Sequence, residues 1–379
     1  MRQSILLSYS LQVLAIALSV LAFRVRRGRV DFYTLTAISI WTVVVIAIYF
    51  KYREDQVFFY SNDQLWHQQL ISVYLKAGIH LNIPDIISNR YIITIPAMIA
   101  SKFGVNAMLA IKAMQLVFLL CTYDEAKKFI LDRKTSFSLW HMYLIVGPTS
   151  LFISTLALRD TVIVYFTVIC FLRSTWRPKL IALVFVFLLR PHLAVAIFVG
   201  SVASTLIGSR HKKWELPNLM LGSIILYAFG AFSYFVGANI QAGLPFRLPE
   251  SVFAQAKFTR LFANFVGLQF LTLGPSVVNL QIGQLLLSRV IFIESLLVPV
   301  LFLLTILRHR EQLGAMKQSL LFSFIFLYGL TSQTDWNSSR QNLPFLAVMA
   351  TLGVASLTLR MNSREVLKNR IRVNAKTHG

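Results

Sequence analysis

Residues 158–192, LRDTVIVYFTVICFLRSTWRPKLIALVFVFLLRPH, contain the pattern that decides the fold. Two apolar runs, 161–172 and 180–190, are bounded by the breaks Arg159-Asp160 and Arg190-Pro191-His192. A charged side chain at membrane depth costs about 2.5–3.5 kcal/mol on insertion scales, so it usually faces a cavity, a partner or a ligand. Each run is shorter than the ~20 helical residues that a full crossing needs. The stretch therefore predicts short or broken transmembrane helices whose charged ends are buried in protein or line a water-filled cavity.

The composition of the chain is that of a membrane protein. It has 379 residues, of which 56% are hydrophobic, and its mean hydropathy is +0.65. Repeated apolar runs of about 18 or more residues predict transmembrane helices. Cys121 and Cys170 lie in apolar runs and predict small packed side chains, with no disulfide or metal framework. The expected fold class is all-α: a polytopic integral membrane protein with about eleven transmembrane helices (roughly ten to twelve), several short or broken.

The positive charge sets the expected topology. The formal net charge is +22, which in a soluble protein would suggest nucleic acid as a partner. Most basic residues here fall in short loops between apolar runs, and such loops stay in the cytoplasm. One arrangement places every basic cluster inside, with the N-terminus outside, the C-terminus inside and no role for nucleic acid. Its expected spans are 4–23, 32–50, 104–123, 137–157, 161–172, 180–190, 193–208, 216–236, 288–307, 318–331 and 343–359.

Two long segments lie on the outer side in this arrangement. Residues 51–103 are expected to form an outer loop with re-entrant or interfacial helices, and residues 237–287 a second outer loop. Residues 360–379 form a basic cytoplasmic tail. Because the spans would pack together as one bundle, residues 1–379 are expected to form a single transmembrane domain.

Asp63 is the first candidate catalytic residue. It lies in the polar stretch Ser61-Asn62-Asp63-Gln64, which is predicted to be an outward-facing loop, and His67, a candidate substrate-binding residue, follows closely. Burial near apolar and aromatic surface raises the pKa of a carboxyl group, so Asp63 could act as a general base. The alternative is an acid in a solvated loop, with no catalytic role.

The two breaks of the deciding stretch supply the candidate anion-binding residues. Arg159 could hold a phosphate in a two-pronged contact, or it could be neutralised by the neighbouring Asp160. At the second break the proline ends a helix, and Arg190 and His192 flank it. Arg190 could then clamp an anion while His192 donates or shuttles a proton. The alternative is a structural kink with a snorkelling arginine.

Further polar residues are expected on the outer side. Asp335 and Arg340 lie in the polar loop between the last two expected spans, although short outer loops are often polar by default. Arg247 and Arg260 add positive charge to the second outer segment, against the positive-inside trend. Together these residues predict a basic cavity on the outer face, suited to an anion with an apolar part such as a lipid-linked phosphate or pyrophosphate.

Motifs for nucleotides and metals are absent from the sequence. It contains no glycine-rich phosphate loop, no His-Glu-x-x-His, no Cys/His metal cluster and no Gly-x-Ser-x-Gly elbow. A nucleotide-sugar donor, ATP and a resident cofactor are therefore not expected. An activated lipid, which already stores chemical energy in its phosphate ester, is the expected substrate.

Short motifs along the chain resemble those of membrane enzymes that use polyprenyl-linked sugars. Three resemble the start of GT-C-class glycosyltransferases: Ser61-Asn62-Asp63-Gln64, Ile95-Pro96 and Lys102-Phe103-Gly104-Val105-Asn106. Four resemble O-antigen and exopolysaccharide polymerases of the Wzy type: Gly147-Pro148, Leu158-Arg159-Asp160, Leu189-Arg190-Pro191-His192 and Arg340-Gln341-Asn342-Leu343-Pro344.

This resemblance implies a GT-C-like helical bundle in the bacterial inner membrane, with a site that faces the periplasm. Asp63 takes the place of the acid that activates the acceptor hydroxyl or helps to hold a metal. Arg159, Arg190 and Arg340 take the place of arginines that grip the lipid phosphate. The family's paired acids, Asp-Glu, are Asp-Gln here, which argues against a divalent metal.

The expected function is a membrane glycosyltransferase or polymerase that builds a cell-surface polysaccharide. Its donor would be a glycan on undecaprenyl phosphate or pyrophosphate, its acceptor another glycan, and its surroundings membrane lipids and other polysaccharide-assembly proteins. A flippase for the same lipid-linked glycan would also need a basic cavity between broken helices. A non-catalytic scaffold would tolerate the loss of each arginine.

Overall fold

The computed structural model describes residues 2–52, 61–78, 91–133, 145–207, 215–241, 293–294, 297–306, 314–331 and 343–356. Every regular element in these ranges is a helix, which confirms the all-α class. The helices are α1 Arg2–Arg26, α2 Phe32–Tyr52, α3 Ser61–Ala77, α4 Tyr91–Lys102, α5 Ala107–Leu131, α6 Pro148–Ser154, α7 Asp160–Leu172, α8 Trp176–Leu189, α9 Pro191–Ile207, α10 Glu215–Gln241, α11 Leu297–Ile306, α12 Gly314–Thr331 and α13 Leu343–Ser356.

The helices identify a membrane protein. Within the described ranges, three of them are long and apolar enough to cross a bilayer: Ile5–Arg26, Phe32–Phe50 and Ala107–Leu131. Their outward faces are apolar, as Leu18 at 64% exposure and Val43 at 65% illustrate. Soluble monomers rarely expose large contiguous apolar surfaces. The apolar stretches of the other helices, such as Pro217–Ser233 in α10, are shorter within the described ranges, so the expected number of about eleven spans stays a prediction.

Two expectations about local structure are wrong. The stretch Ser61-Asn62-Asp63-Gln64 forms the first turn of α3 and is not a loop. The expected span 137–157 is broken over its described part, because α6 has only seven residues and residues 155–159 are not helical. Proline at the first position of α6 suits a helix start, since it lacks an N–H group that would be unpaired there.

The chain divides into two compact units, and the single-domain prediction stays a prediction. Unit 1 consists of Met1–Asp124, Val146–Thr167 and Leu180–Pro191. Unit 2 consists of Glu125–Ile145, Val168–Lys179 and His192–Gly379.

In unit 1, a charged network joins α1, α2 and α5. Arg24, only 5% exposed, contacts the carboxylate of Asp124 with two guanidinium nitrogens and donates to the hydroxyl of Thr34 at 3.1 Å. Asp31 caps α2 by accepting from the N–H of Thr34 at 3.0 Å, and it also accepts from the hydroxyl of Tyr123. Arg24 is therefore a buried structural residue.

In unit 2, small residues allow helices α9, α10 and α12 to approach closely. Gly200 of α9 lies against Ser323 of α12, and the hydroxyls of Ser201 and Ser319 are 3.0 Å apart between the same helices. Gly230 of α10 lies against the backbone of α12. Small residues and hydroxyl hydrogen bonds are what bring helices together in a membrane, where burial of apolar surface gives little driving force.

Candidate functional site

The two charged breaks predicted from the sequence meet in unit 1. Arg159, between α6 and α7, donates from Nη1 to the carbonyl oxygen of Leu189 at the end of α8. Arg190, immediately after α8, donates from Nη2 to Oδ1 of Asp160 at 2.7 Å. Each break thus contributes an arginine to the other. The two interruptions form one polar centre, but the sequence alone did not reveal which groups pair in it.

The Arg190–Asp160 pair is completely buried. The side chain of Arg190 is 1% exposed and that of Asp160 is 0% exposed. Asp160 is the first residue of α7, where the helix dipole favours negative charge, and Arg190 follows the last residue of α8, where the dipole favours positive charge. Both helix ends therefore stabilise the charge that lies beside them.

Helix α3 holds the irregular backbone before Arg159. Oε1 of Gln64 accepts from the N–H of Ala157 at 3.2 Å, and Nδ1 of His67 lies 3.0 Å from the carbonyl oxygen of Ala157. Because a carbonyl can only accept, Nδ1 of His67 carries the proton. Both side chains are buried. His67 thus has a positioning role in this structure, at the centre where the sequence predicted a substrate-binding residue.

Helix α5 supports the start of α7. Oε1 of Gln115 accepts from the N–H of Thr161 at 2.9 Å, and the backbone carbonyl of Gln115 accepts from the hydroxyl of Thr161 at 2.9 Å. Lys112 is fully buried and lies one turn earlier on the same face of α5. A buried lysine inside an apolar helix therefore lies one turn from the residue that supports the start of α7.

Two aromatic residues of α2 hold the short helix α6. The hydroxyl of Tyr33 donates to the carbonyl oxygen of Val146 at 2.9 Å, and Nε1 of Trp41 donates to that of Ser154 at 3.0 Å. Non-helical backbone at membrane depth requires such partners, because each backbone N–H or C=O group without a hydrogen bond there costs roughly several kcal/mol.

The centre carries an excess of positive charge. Arg159 and Arg190 bring two cations, against the carboxylate of Asp160, so these three residues have a formal charge of +1 (two minus one). Arg159 is only half-buried, whereas the other two are buried. The arrangement can therefore attract an anion, and Arg159 is the member that a ligand can reach most easily.

Gln115→Leu is expected to lower the free energy of unfolding by about 1–3 kcal/mol, because it leaves the buried N–H of Thr161 without its acceptor. Thr122→Val is the matched control on the same helix, since the Thr122 hydroxyl donates to the Phe118 carbonyl of its own helix at 2.8 Å. Thermal unfolding in detergent measures both. Equal midpoints for the two variants would contradict the role of Gln115.

Of the other predicted site residues, the structure describes the position of two and leaves four outside the described ranges. Asp63 lies in the first turn of α3, next to Gln64, and His192 is the second residue of α9 and is half-buried. Four predicted residues lie outside the described ranges: Arg247, Arg260, Asp335 and Arg340. Their roles stay predictions.

Sequence reasoning missed Lys112 and Gln115. The signal was available, since the two polar residues are spaced by three in an apolar 25-residue helix. An ionisable residue within a transmembrane helix is by default a candidate for function. Gln64 belongs to the polar stretch that contains Asp63, but its contact with Ala157 depends on tertiary structure.

Neither a metal site nor a relative identifies the chemistry. No group of three or more His, Cys, Asp or Glu side chains that could hold a metal occurs within the described part of the chain. No protein-family model, no curated protein and no solved structure matches the chain. The function therefore has to be inferred from the chain's own residues.

Proposed function

We propose that this protein is an inner-membrane glycosyltransferase or polymerase that transfers glycan units from an undecaprenyl-linked (pyro)phosphate donor during cell-surface polysaccharide assembly. The observation that supports this most is the buried, cation-rich centre in which two helix breaks exchange arginines. A centre with a formal charge of +1 at membrane depth suits a ligand that is both anionic and apolar. A lipid-linked phosphate has both properties.

The depth of the centre agrees with such a donor. Gln115 is eight residues from the start of α5, which corresponds to ~12 Å along the helix axis. In the proposed topology α5 begins at the outer surface, and the hydrocarbon core is ~30 Å thick. The breaks would then lie in the outer half of the membrane, where a phosphate could reach them from the periplasmic side while its polyprenyl tail stays in the bilayer.

Arg159 would contact the phosphate of the donor, because it is the half-buried cation of the centre. Its charge would offset the negative charge that develops on the leaving phosphate as the sugar is transferred. Arg190 and Asp160 would act as positioning residues, since their buried pair holds α7 and α8 in place. Arg340 would supply a further cation.

A base would be needed to take the proton of the acceptor hydroxyl as it attacks the anomeric carbon. Asp63 is the first candidate, because it lies in the first turn of the helix that contacts Ala157 through Gln64 and His67. His192, two residues after Arg190, is the second. The attack would displace the phosphate directly, with inversion and without a metal.

The test of this function is transfer by purified protein in lipid nanodiscs. The protein is given lipid-linked oligosaccharide from the native host, with and without a chelator, and the products are separated on gels. A ladder of longer lipid-linked glycans would support a polymerase, and glycan moved to another acceptor would support a single-transfer enzyme. No covalent product together with movement of the glycan lipid across the bilayer would instead favour a flippase.

Arg159→Ala is expected to lower the turnover rate by roughly 10²–10³-fold, the usual effect of removing one group that stabilises charge in a transition state. Arg159→Lys keeps the charge and should recover part of the activity. Arg173→Ala is the matched control, because Arg173 is also a partly exposed arginine near a helix end, paired with Glu125 at 2.5 Å. Full activity in Arg159→Ala would contradict the assignment.

A further inference from the structure

A separate cleft in unit 1 is lined by uncharged polar and aromatic groups. It has a volume of about 290 Å³ and lies between α1, the end of α2 and the start of α5. This volume is near the lower end of the range for small-molecule sites, about 300–1,000 Å³. The lining residues are Ile5, Ser8, Tyr9, Gln12, Tyr49 and Asn106.

The floor of the cleft is held in place by amide hydrogen bonds. Nε2 of Gln12 donates to the carbonyl oxygen of Gly104 at 3.4 Å, and Oε1 of Gln12 accepts from the N–H of Asn106 at 3.1 Å. Oδ1 of Asn106 accepts from the N–H of Leu109 at 3.1 Å and so caps α5. Gly104 has a φ of +80°, which lets the chain turn here. Both amides are thus oriented before a ligand arrives.

One wall of the cleft is aromatic. The rings of Tyr9 and Tyr49 stack with centroids 3.5 Å apart and planes at 6°. Tyr9 is buried and Tyr49 is half-buried, so Tyr49 presents the more accessible ring. Stacked rings have few rotamers to lose on binding, which makes this wall rigid.

The lining selects the chemistry of the ligand. None of the six lining residues is charged, so the cleft offers a phosphate no cation and an ammonium group no carboxylate. An acyl chain would cover amide and hydroxyl groups without satisfying them, at about 1–3 kcal/mol each. A neutral polyol suits the cleft, because its hydroxyls both donate and accept while its C–H face packs against a ring.

The cleft also lies away from the basic end of α1. Along α1 the cleft extends from Gln12 to Ile5, twelve and nineteen residues before Arg24, which corresponds to ~18 and ~28 Å along the helix. The positive-inside rule places the Arg24 end in the cytoplasm, so the cleft lies in the outer half of a ~30 Å core and reaches its outer surface at Ile5. Tyrosines are enriched at such interfaces, where one end of the ring is apolar and the hydroxyl is hydrated.

We propose that this cleft binds a neutral sugar unit at the outer membrane surface. Gln12, Asn106 and Ser8 hydrogen-bond the hydroxyls of the sugar, and Tyr49 packs against its ring. The proposal does not require the transferase activity, since binding is measured without turnover. The proposed occupant is a sugar, although the glycerol head group of a phospholipid has the same polyol chemistry.

Saturation-transfer NMR with the full chain in phosphatidylcholine nanodiscs tests the proposal. The probes are methyl α-D-glucoside, methyl α-D-mannoside and N-acetylglucosamine, with glucose 6-phosphate as the charged comparison. We expect at least one neutral sugar to bind ~10-fold more tightly than glucose 6-phosphate. Equal or tighter binding of the phosphate, or no signal from any neutral sugar, would overturn the proposal.

Variants of the lining sharpen the test. Gln12→Leu is expected to weaken binding about 10-fold, and Ser8→Ala, a change at an exposed hydroxyl, about 3-fold, in line with the loss of single hydrogen bonds. Ser19→Ala is the matched control on α1, because its exposed hydroxyl bonds its own helix at Ala15 and should change nothing. Unchanged binding in both lining variants would overturn the proposal.

A change of lipid separates the two sources of a polyol. Nanodiscs that contain phosphatidylglycerol present a glycerol head group beside the cleft. Sugar binding that persists in these discs supports the sugar as the occupant. Sugar binding that phosphatidylglycerol abolishes would assign the cleft to the lipid head group and overturn the proposal.

Discussion

Asp160→Ala is expected to lower the free energy of unfolding by about 3–5 kcal/mol, because it leaves the guanidinium of Arg190 buried without its carboxylate. Arg190→Ala leaves the carboxylate of Asp160 buried and is expected to have an effect of similar size. Either loss is a large fraction of the stability of an ordinary domain, about 5–15 kcal/mol, so both variants should also lose transfer activity. Labelling of the native cysteine thiols can measure this loss of stability.

The measurement is thiol labelling during thermal unfolding. Cys121 lies in unit 1 and is half-buried, so a maleimide dye in a Cys170→Ala background reports on the opening of that unit. The double variant Asp160→Leu with Arg190→Met should be more stable than the sum of the effects of Asp160→Leu alone and Arg190→Met alone predicts. The reason is that the double variant leaves no buried charge unpaired. Strict additivity of the two effects would contradict the ion pair.

A reversed pair distinguishes pairing from orientation. Asp160→Arg with Arg190→Asp keeps two opposite charges in contact, but each charge then lies at the helix end whose dipole opposes it. The reversed pair is therefore expected to recover less stability than the apolar double variant. Glu125→Ala is the control, since the pair of Glu125 with Arg173 is 20% and 38% exposed and should contribute no more than about 1 kcal/mol. Full recovery by the reversed pair would show that the helix dipoles do not matter here.

Gly329→Leu is expected to disrupt the packing of α10 against α12 in unit 2. A Cβ atom at Gly329 would lie 2.3 Å from the carbonyl oxygen of Tyr227, and one at Gly230 would lie 2.5 Å from that of Phe326. The opposing atoms belong to helical backbone, which cannot move aside like a side chain. Overpacking typically costs about 1–3 kcal/mol, and we expect a loss of at least the upper value here.

A second glycine in the same unit provides the matched control. Gly353 lies in α13, and a Cβ atom added there meets nothing within 4 Å. Gly353→Ala is therefore expected to be neutral or to stabilise by up to about 1 kcal/mol, through the higher helix propensity of alanine. Labelling of buried Cys170 in a Cys121→Ala background reports on unit 2. A Gly329→Leu protein that unfolds no earlier than Gly353→Ala would contradict the close approach of the two helices.

Local patterns predicted the helices and the positions of the breaks. The apolar run 161–172 became α7, Asp160–Leu172, and the proline after Arg190 became the first residue of α9. Both follow from short-range physics: apolar periodicity, the missing N–H of proline and the charge at each break. The prediction of a loop at Ser61-Asn62-Asp63-Gln64 was wrong, because Ser, Asn and Asp occur both in loops and at helix starts. The apolar residues that follow this stretch favour a helix.

The sequence by itself determined that the chain is α-helical, that it belongs in a membrane and that charged breaks interrupt its apolar runs. Only the tertiary structure decided which groups meet there: Arg159 with the Leu189 carbonyl, Arg190 with Asp160, and Gln115 with Thr161. These partners are 30 or more residues apart, so no local propensity specifies them. They are selected because a buried charge or backbone group without a partner is too costly at membrane depth, and several helices must pack before each partner comes within reach.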